Sequence, residues 1–544
     1  EVDASLETEL AWNSKTGVNL KAKGQLPQLA FKGHTYTNIE LDGEFTEKSF
    51  DGKVSIQDEF GLADFMGKMN FESKIPEFDF SSKVVKMNLS KLNIIKDSNQ
   101  HIVTGDISIK GKGSTIDNST GIAKISNLVY QQNQSIYKNE EIKIISTVNG
   151  EAKDMNLVSD IANASIKGDF LLTNLAEIAD IVGQQVVPAL YTSRDTVDIG
   201  SQYFDFEVLV KDFTPIRKLF TPQINIAQNT KVSGNYNSID NDFFVSIQSD
   251  SISYLSNTFY RIDGKLDKPS DILDLNLDVE NFRAGYDFSV DNLKLTSLIK
   301  EDHIIPTIQW KSADGQSYGK IQGDGYWYSE DYFDMLILPS YLHFKDRDWR
   351  IKEDASLIVD SSNFNFNGLS ITNNLDEGVS IVGNISESPE DVLKVYLDNF
   401  NVKYLNPIIG TSTTEYKGNI NGSACISNVY RDIEIISDFY IDSLQVNQEL
   451  IGDLVFNTNW IKETRGMNIK GELLRNELNT FDFLGYFYPF REKNSLDFSC
   501  ILQNTNLAFL NPYLEDQGIS NINGTAKGKI SVKGEPNAPL LLGE

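Results

Sequence analysis

One serine lies in a pattern that can carry nucleophilic catalysis. Gly315-Gln316-Ser317-Tyr318-Gly319 matches G-x-S-x-G, the turn that exposes a catalytic serine between a strand and a helix. Here the following residues, Lys320-Ile321-Gln322-Gly323, predict another strand, and His343 is the only histidine downstream. We therefore expect no catalytic residue, and we interpret the pattern as a turn between two strands.

Residue types that bind metals or phosphates are too scattered to predict a site. Cys425, Cys500 and the four histidines lie far apart in the sequence, which excludes zinc-ligand spacing and a disulfide framework. We expect two isolated, buried thiols. Gly323-Asp324-Gly325 lacks the third glycine of a phosphate loop. The sequence thus predicts neither a metal nor a cofactor.

One aromatic cluster remains as a candidate binding surface. It comprises Tyr326-Trp327-Tyr328 and Tyr332-Phe333. Such rings can bind sugars, but packing between neighbouring strands is their commoner use in β-sheets. We expect the packing role here.

The charge of the chain excludes one class of partner. The formal net charge is −28 and basic residues are not clustered, so nucleic acid is not expected to bind. Adhesion to an anionic membrane by charge is not expected either. No stretch reaches the roughly 18–20 apolar residues of a membrane-spanning helix. The ends fall in mid-pattern, so we expect an interior segment of a longer protein, with any membrane anchor outside it.

The elements that must position any site are strands. Runs such as Asp274-Leu275-Asn276-Leu277-Asp278-Val279 alternate polar and apolar residues, which puts one apolar and one polar face on each strand. If the apolar faces form a groove, its lining follows from this parity. The residues predicted to line it are Ile107, Ile109, Leu275, Leu277, Val379, Ile381, Val395, Leu397, Ile433, Ile435, Leu496, Phe498, Ile530 and Val532.

Turns and short helices separate the predicted strands. The apolar spacing predicts a helix over 174–189 and shorter turns over 216–221, 402–406 and 507–511. Asn-Gly and Asp-Gly pairs predict tight hairpins. These pairs are Asn149-Gly150, Asp324-Gly325, Asn367-Gly368, Asn421-Gly422 and Asn523-Gly524.

An internal repeat accompanies these turns. The segment Leu397-Asp398-Asn399-Phe400 running to Pro407 matches Leu502-Gln503-Asn504-Thr505 running to Pro512. We place repeat units near 206–236, 395–426 and 496–532. Because no linker divides the chain, we predict one continuous repetitive β-groove over 1–544 with no clear internal boundary.

Two segments carry a family resemblance. Gly534-Glu535-Pro536-Asn537-Ala538-Pro539-Leu540 resembles a recurring phrase of the TamB-like translocation and assembly module proteins, in the AsmA-like group. Ser114-Thr115-Ile116-Asp117-Asn118-Ser119 and the residues up to Tyr130 are similar to a segment of the TamB-like proteins of Bacteroidota. The resemblance implies an all-β fold: an elongated, repetitive antiparallel sheet curled into a taco-like groove, with a few short helices.

The resemblance also implies a function. TamB-like proteins span the periplasm, carry phospholipid between the inner and outer membranes and support outer-membrane biogenesis. Their inner-membrane anchor and the region that docks on a BamA-type barrel would lie outside this chain.

Two other functions stay open. The sheet could assemble outer-membrane proteins by β-augmentation with that barrel, or it could be a surface β-solenoid adhesin that binds glycans. A continuous apolar face favours the conduit, whereas an unpaired, uncharged edge strand favours assembly. A closed core with exposed aromatics favours the adhesin.

Overall fold

The chain folds almost entirely as antiparallel β-sheet. The computed structural model describes residues 5–13, 17–31, 33–150, 152–191, 199–284, 288–344, 346–405, 415–431, 433–447, 449–489, 491, 493–511, 521–535 and 538–543. Strands make up 69% and helices 7%. This confirms the predicted all-β class with a few short helices. Three prolines of the predicted motifs lie outside the described residues. They are Pro407 and Pro512 of the repeat and Pro536 of the segment 534–540.

The structure divides into two compact units, Glu1–Val186 with Ser193–Ser289, and Val187–Thr192 with Val290–Glu544. Continuity of one groove over 1–544 remains a prediction.

In the first unit, each strand pairs antiparallel with the next along the chain, except that β12 pairs with β14 and β13 with β15. A 3₁₀ turn, Leu172–Asn174, leads into α1 (Leu175–Val186), and α2 is Thr214–Leu219. The strands are β1 (Ser5–Asn13), β2 (Gly17–Phe31), β3 (His34–Phe45), β4 (Ser49–Asp58), β5 (Gly61–Asn70), β6 (Glu77–Asn88), β7 (His101–Lys112), β8 (Thr120–Gln132), β9 (Ser135–Asn149), β10 (Ala152–Val158), β11 (Ala162–Asp169), β12 (Tyr203–Val210), β13 (Ile224–Ile226), β14 (Lys231–Asn237), β15 (Asp242–Tyr254), β16 (Asn257–Lys268) and β17 (Leu273–Ala284).

The second unit contains the 3₁₀ turns Pro188–Tyr191, Val402–Leu405 and Leu507–Leu510. Its strands begin with β18, which starts at the boundary. They are β18 (Phe288–Lys300), β19 (His303–Lys311), β20 (Ser317–Trp327), β21 (Tyr332–Ile337), β22 (Ser340–Phe344), β23 (Arg347–Ile351), β24 (Ala355–Asp360), β25 (Asn363–Asn373), β26 (Gly378–Ile385), β27 (Val392–Asn401), β28 (Tyr416–Ser427), β29 (Glu434–Val446), β30 (Glu449–Ile461), β31 (Gly466–Arg475), β32 (Leu478–Phe487), β33 (Leu496–Asn506), β34 (Thr525–Glu535) and β35 (Ala538–Gly543).

Pairing in the second unit departs from chain order in one region. The long strand β20 pairs with both β21 and β22. These two short strands flank Pro339, which has no amide hydrogen to donate to a neighbouring strand. From β25 onward, each described strand again pairs with the next.

Three of the predicted hairpins are wrong. Asn149-Gly150 does connect β9 to β10, and Asn523-Gly524 precedes β34, but the other three pairs lie inside β20, β25 and β28. In β20 the glycine is needed for steric reasons and does not form a turn. A Cβ on Gly325 would lie 2.8 Å from Cζ of Phe333 on the next strand. The glycine makes room for an aromatic ring on the neighbouring strand.

The helical segments lie close to their predicted positions. The segment predicted over 174–189 forms α1 and part of the 3₁₀ turn after it, and the turn predicted over 216–221 begins earlier, as α2. The two matching segments of the repeat also share a backbone feature. Asn399 (φ 47°) and Asn504 (φ 71°) are left-handed and sit at a register shift just before the 3₁₀ turn. Such bulges bend a strand and increase its twist.

Candidate functional site

The first unit presents one apolar face that is continuous in register. Residues directly opposite one another on paired strands share a face of the sheet. One row of such partners joins Ile109 on β7 to Leu277 on β17. It runs Ile109, Ala123, Ile144, Leu157, Ala164, Val208, Val232, Ile247, Gly264, Leu277. We call this surface the apolar face of the first unit. No polar side chain interrupts this row.

The opposite face of the same strands is polar. Lys110, next to Ile109, lies 2.8 Å from Asp79, and Lys231 lies 2.8 Å from Glu207. These pairs join neighbouring strands and are about half exposed or more. This face therefore carries solvated charges, as expected for a sheet with one face exposed to solvent.

The second unit has an equivalent apolar face. One row runs Val379, Leu397, Gly422, Phe439, Phe456, Gly471, Phe483, Cys500, Ile530. The adjacent row joins Ile381 and Val395 to Phe498 and Val532. It contains Ser437 and Thr458, whose hydroxyls are buried and hydrogen-bonded to each other at 2.8 Å. Each hydroxyl thus finds its hydrogen-bond partner in the other, although both lie within an apolar surface.

The structure places the predicted lining residues on these faces, with one exception. Ile107, Ile109, Leu275 and Leu277 share the apolar face of the first unit. In the second unit Ile435 and Leu496 lie outside the two rows but on the same face, two residues before Ser437 and Phe498, whereas Ile433 precedes β29 and has no strand partner. All of them are half-buried. They are spread along the sheet and do not meet in one pocket. Contact with lipid stays a prediction.

A cavity of about 490 Å³ lies on the apolar face of the first unit, partly covered by α1. This volume falls within the range of ligand pockets. Ile178 and Val182 of α1 are buried against Phe204 and Tyr236. The lining is apolar apart from Asn156 and Ser165 and comprises Ile144, Met155, Leu157, Ala164, Ile166, Leu172, Leu175, Ile178, Ala179, Phe204, Phe206, Val208, Phe243 and Val245.

These residues were not predicted from the sequence to line a cavity, although a signal was present. Tyr203-Phe204-Asp205-Phe206-Glu207-Val208 alternates as clearly as the selected runs. The apolar spacing of α1 also predicted a helix from the sequence. Nothing local indicates that this helix lies over that strand.

A charged group borders the cavity. Lys153 is 5% exposed, lies two residues before Met155, and its ammonium donates a hydrogen bond to the Asp117 carbonyl. The ammonium is also 5.5 Å from the centre of the Phe170 ring. Burial lowers the pKa of Lys153, against the attraction of Asp117.

Asp117 also holds the start of the helical segment. Its carboxylate accepts hydrogen bonds from the Thr173 amide (3.2 Å) and the Thr173 hydroxyl (2.9 Å). Although burial raises it, these bonds leave the pKa of Asp117 below its ordinary value. Asp117 belongs to the segment 114–130, whose family resemblance stays a prediction. In this structure, that segment anchors the turn before α1.

The catalytic pattern around Ser317 does not form an elbow. Ser317 begins β20, so a strand follows it, and its hydroxyl accepts a hydrogen bond from Nε1 of Trp310 at 3.0 Å. His343 pairs with Tyr318 and thus lies on the other face of the sheet, where its Nδ1 is 2.7 Å from Asp348. Ser317 and His343 are therefore not placed to act together.

The other candidate groups stay apart. Among the described residues, no cluster of three or more His, Cys, Asp or Glu side chains could hold a metal. Cys425 and Cys500 are free thiols; Cys500 is buried as expected, whereas Cys425 is only half-buried. In the aromatic cluster, Trp327 packs on Phe333 of the next strand, with ring centres 4.6 Å apart, while Tyr328 is 62% exposed.

Comparison with known proteins adds no family. Within the described part of the chain, no helix has the length and apolarity needed to cross a membrane. No protein-family model matches the sequence, and a search of curated proteins finds no match.

Proposed function

We propose that this chain is a non-enzymatic lipid conduit, in which phospholipid acyl chains lie against the apolar faces while the polar faces stay in water. The observation that carries the proposal is the register. In the first unit an unbroken apolar row links Ile109 to Leu277, and in the second unit another links Val379 to Ile530. Isolated pockets would leave a lipid exposed between them, whereas a continuous face does not.

Energetics support the same use. A phospholipid chain of about 15 methylenes that enters water costs on the order of 12 kcal/mol, at ~0.8 kcal/mol per methylene. The predicted lining residues are half-buried, so their side chains keep apolar surface that a ligand can cover. In a closed core the same residues would be fully buried.

The cellular setting is also part of the proposal. We place the conduit in the periplasm as a bridge between inner and outer membranes that supports outer-membrane biogenesis. Its partners in this setting would be phospholipid, the inner membrane and a BamA-type barrel. The two family-like segments described above are the support for this setting. The placement predicts no nucleic acid partner, in keeping with the net charge of −28.

A photo-crosslinking experiment tests the conduit on the second unit. Benzoylphenylalanine in place of Val395, on the apolar face, should give a phospholipid adduct when the protein is purified from cells and examined by mass spectrometry. The matched control is the same substitution at Lys394, which is exposed on the other face. It should give none. Equal labelling at both positions, or no lipid at either, would contradict the proposal and favour the assembly function.

A further inference from the structure

The apolar face of the first unit carries two buried lysines. Lys153 and Lys268 stand at the two ends of one row of partners, which runs Lys153, Gly168, Phe204, Tyr236, Phe243, Lys268. Lys153 is 5% exposed and Lys268 is 0% exposed. An ammonium group in such a place is costly unless an anion or good acceptors compensate it.

Neither lysine has a carboxylate partner among the residues that the structure describes. Lys153 donates to the Asp117 carbonyl, and Lys268 donates to the Asn241 carbonyl at 3.2 Å. Asp117 attracts Lys153, and Asp271 and Asp242 attract Lys268, from outside ion-pair distance. The Asp117 carboxylate is engaged with Thr173. On the polar face, by contrast, lysines such as Lys110 sit in ion pairs.

Lys153 is also beside the cavity. Met155, two residues along β10 on the same face, lines it, and so do Phe204 and Phe243 from the row of Lys153. An ammonium has three N–H donors, and the described structure uses one, for the Asp117 carbonyl. The site thus joins an apolar cavity to a buried cation, which is the chemistry of an amphiphile with an anionic head.

We propose that the cavity beside α1 binds one acyl chain of an anionic phospholipid, with Lys153 compensating a headgroup phosphate that no cation within the same headgroup neutralises. This inference rests on the proposed lipid function and adds a headgroup preference to it. The competing explanation is structural, namely that Lys153 serves only to hold the segment around Asp117 against the sheet. A structural role affects every lipid alike, whereas headgroup recognition does not.

The test compares two probes with identical NBD-labelled acyl chains, phosphatidylglycerol (anionic) and phosphatidylcholine (zwitterionic). Each is presented to the purified chain in phosphatidylcholine vesicles at pH 7. Wild type should bind the anionic probe more tightly. Lys153→Met should weaken that binding about tenfold, the loss expected for one charge-assisted hydrogen bond, and should change binding of the zwitterionic probe less than about twofold. Lys153→Arg should keep the preference, and Lys110→Met, on the polar face, should behave as wild type.

Two outcomes overturn the inference alone. They are equal affinity of wild type for both probes, and an equal loss of both probes in Lys153→Met. If wild type binds neither probe, the proposed lipid function fails together with the headgroup preference.

Discussion

Replacing Leu277 by arginine puts a charge on the apolar face of β17, where a conduit and a closed core respond differently. Leu277 lies opposite Gly264 and near the Ile247 side chain: a Cβ on Gly264 would be 3.2 Å from Leu277 Cδ1 and 2.7 Å from Ile247 Cγ2. Leu277 is nevertheless only half-buried. An arginine there can keep its aliphatic stem on the face and extend its guanidinium into water.

The cost in stability should therefore be small. Full burial of a leucine side chain contributes about 1.5–3 kcal/mol, so half of this contact is worth on the order of 1 kcal/mol. For a unit of this size, a loss of about 1 kcal/mol lowers the melting temperature by roughly 2–4 °C. In a closed core, the same arginine would be an uncompensated buried charge and would cost several kcal/mol more.

The effect on lipid transfer should be large. A chain that passes a hydrated guanidinium must expose three or four methylenes, at about 3 kcal/mol in total. That barrier slows transfer on the order of 100-fold. The assay follows NBD-labelled phospholipid from donor to acceptor vesicles, with circular dichroism melts of the same preparations.

Asn276→Arg is the matched control on the polar face. Lys265 lies directly opposite Asn276, but Asp274, Asp278, Asp263 and Asp267 surround the position, so an arginine there is tolerated electrostatically. It should alter neither melting nor transfer. If Leu277→Arg lowers the melting temperature by about 10 °C or more, the face is a packed core and the conduit is refuted. If the variant folds and transfers lipid as wild type does, the path does not cross β17.

Three further outcomes follow from the same structure. Ser317→Ala should remove only the hydrogen bond from Trp310, about 1 kcal/mol, and native Ser317 should not react with a fluorophosphonate probe; labelling would show a reactive serine. The chain, at net charge −28, should not retard DNA or RNA in a mobility shift at ~150 mM salt, and a salt-sensitive shifted band would disprove this. Although burial raises it, hydrogen bonds from the Phe60 amide and from His34 hold the pKa of Asp58 below its ordinary value of 3.8. Its charge therefore stabilises the fold above about pH 4, and this contribution is lost as the pH falls through the depressed pKa. Asp58→Asn should then cost about 1–3 kcal/mol at pH 7 and progressively less as the pH falls below 3.8, and melts whose deficit does not change with pH would exclude this linkage.

Local pattern sufficed to predict the strands and the face to which each side chain belongs. Alternation at Leu275 and Leu277, or at Val395 and Leu397, determines parity, because successive residues of a strand point to opposite faces. The helix α1 was equally predictable from the sequence, since its apolar spacing is a local property. Ile433 alternates in sequence but lies just before the start of β29, since the end of a strand depends on its partner, and its place on the apolar face stays a prediction.

Only the tertiary structure decided how these local elements combine. Asn421-Gly422 has the composition of a hairpin but lies within β28, where Gly422 faces Phe439 of the next strand. The cavity beside α1 and the buried Lys153 were not predictable, since both depend on residues far apart in the chain. Period-two alternation carries information about one strand at a time. Strand register, bulges and the position of a helix on the sheet depend on contacts between residues far apart in the chain. These contacts determine whether separate apolar faces join into one continuous surface.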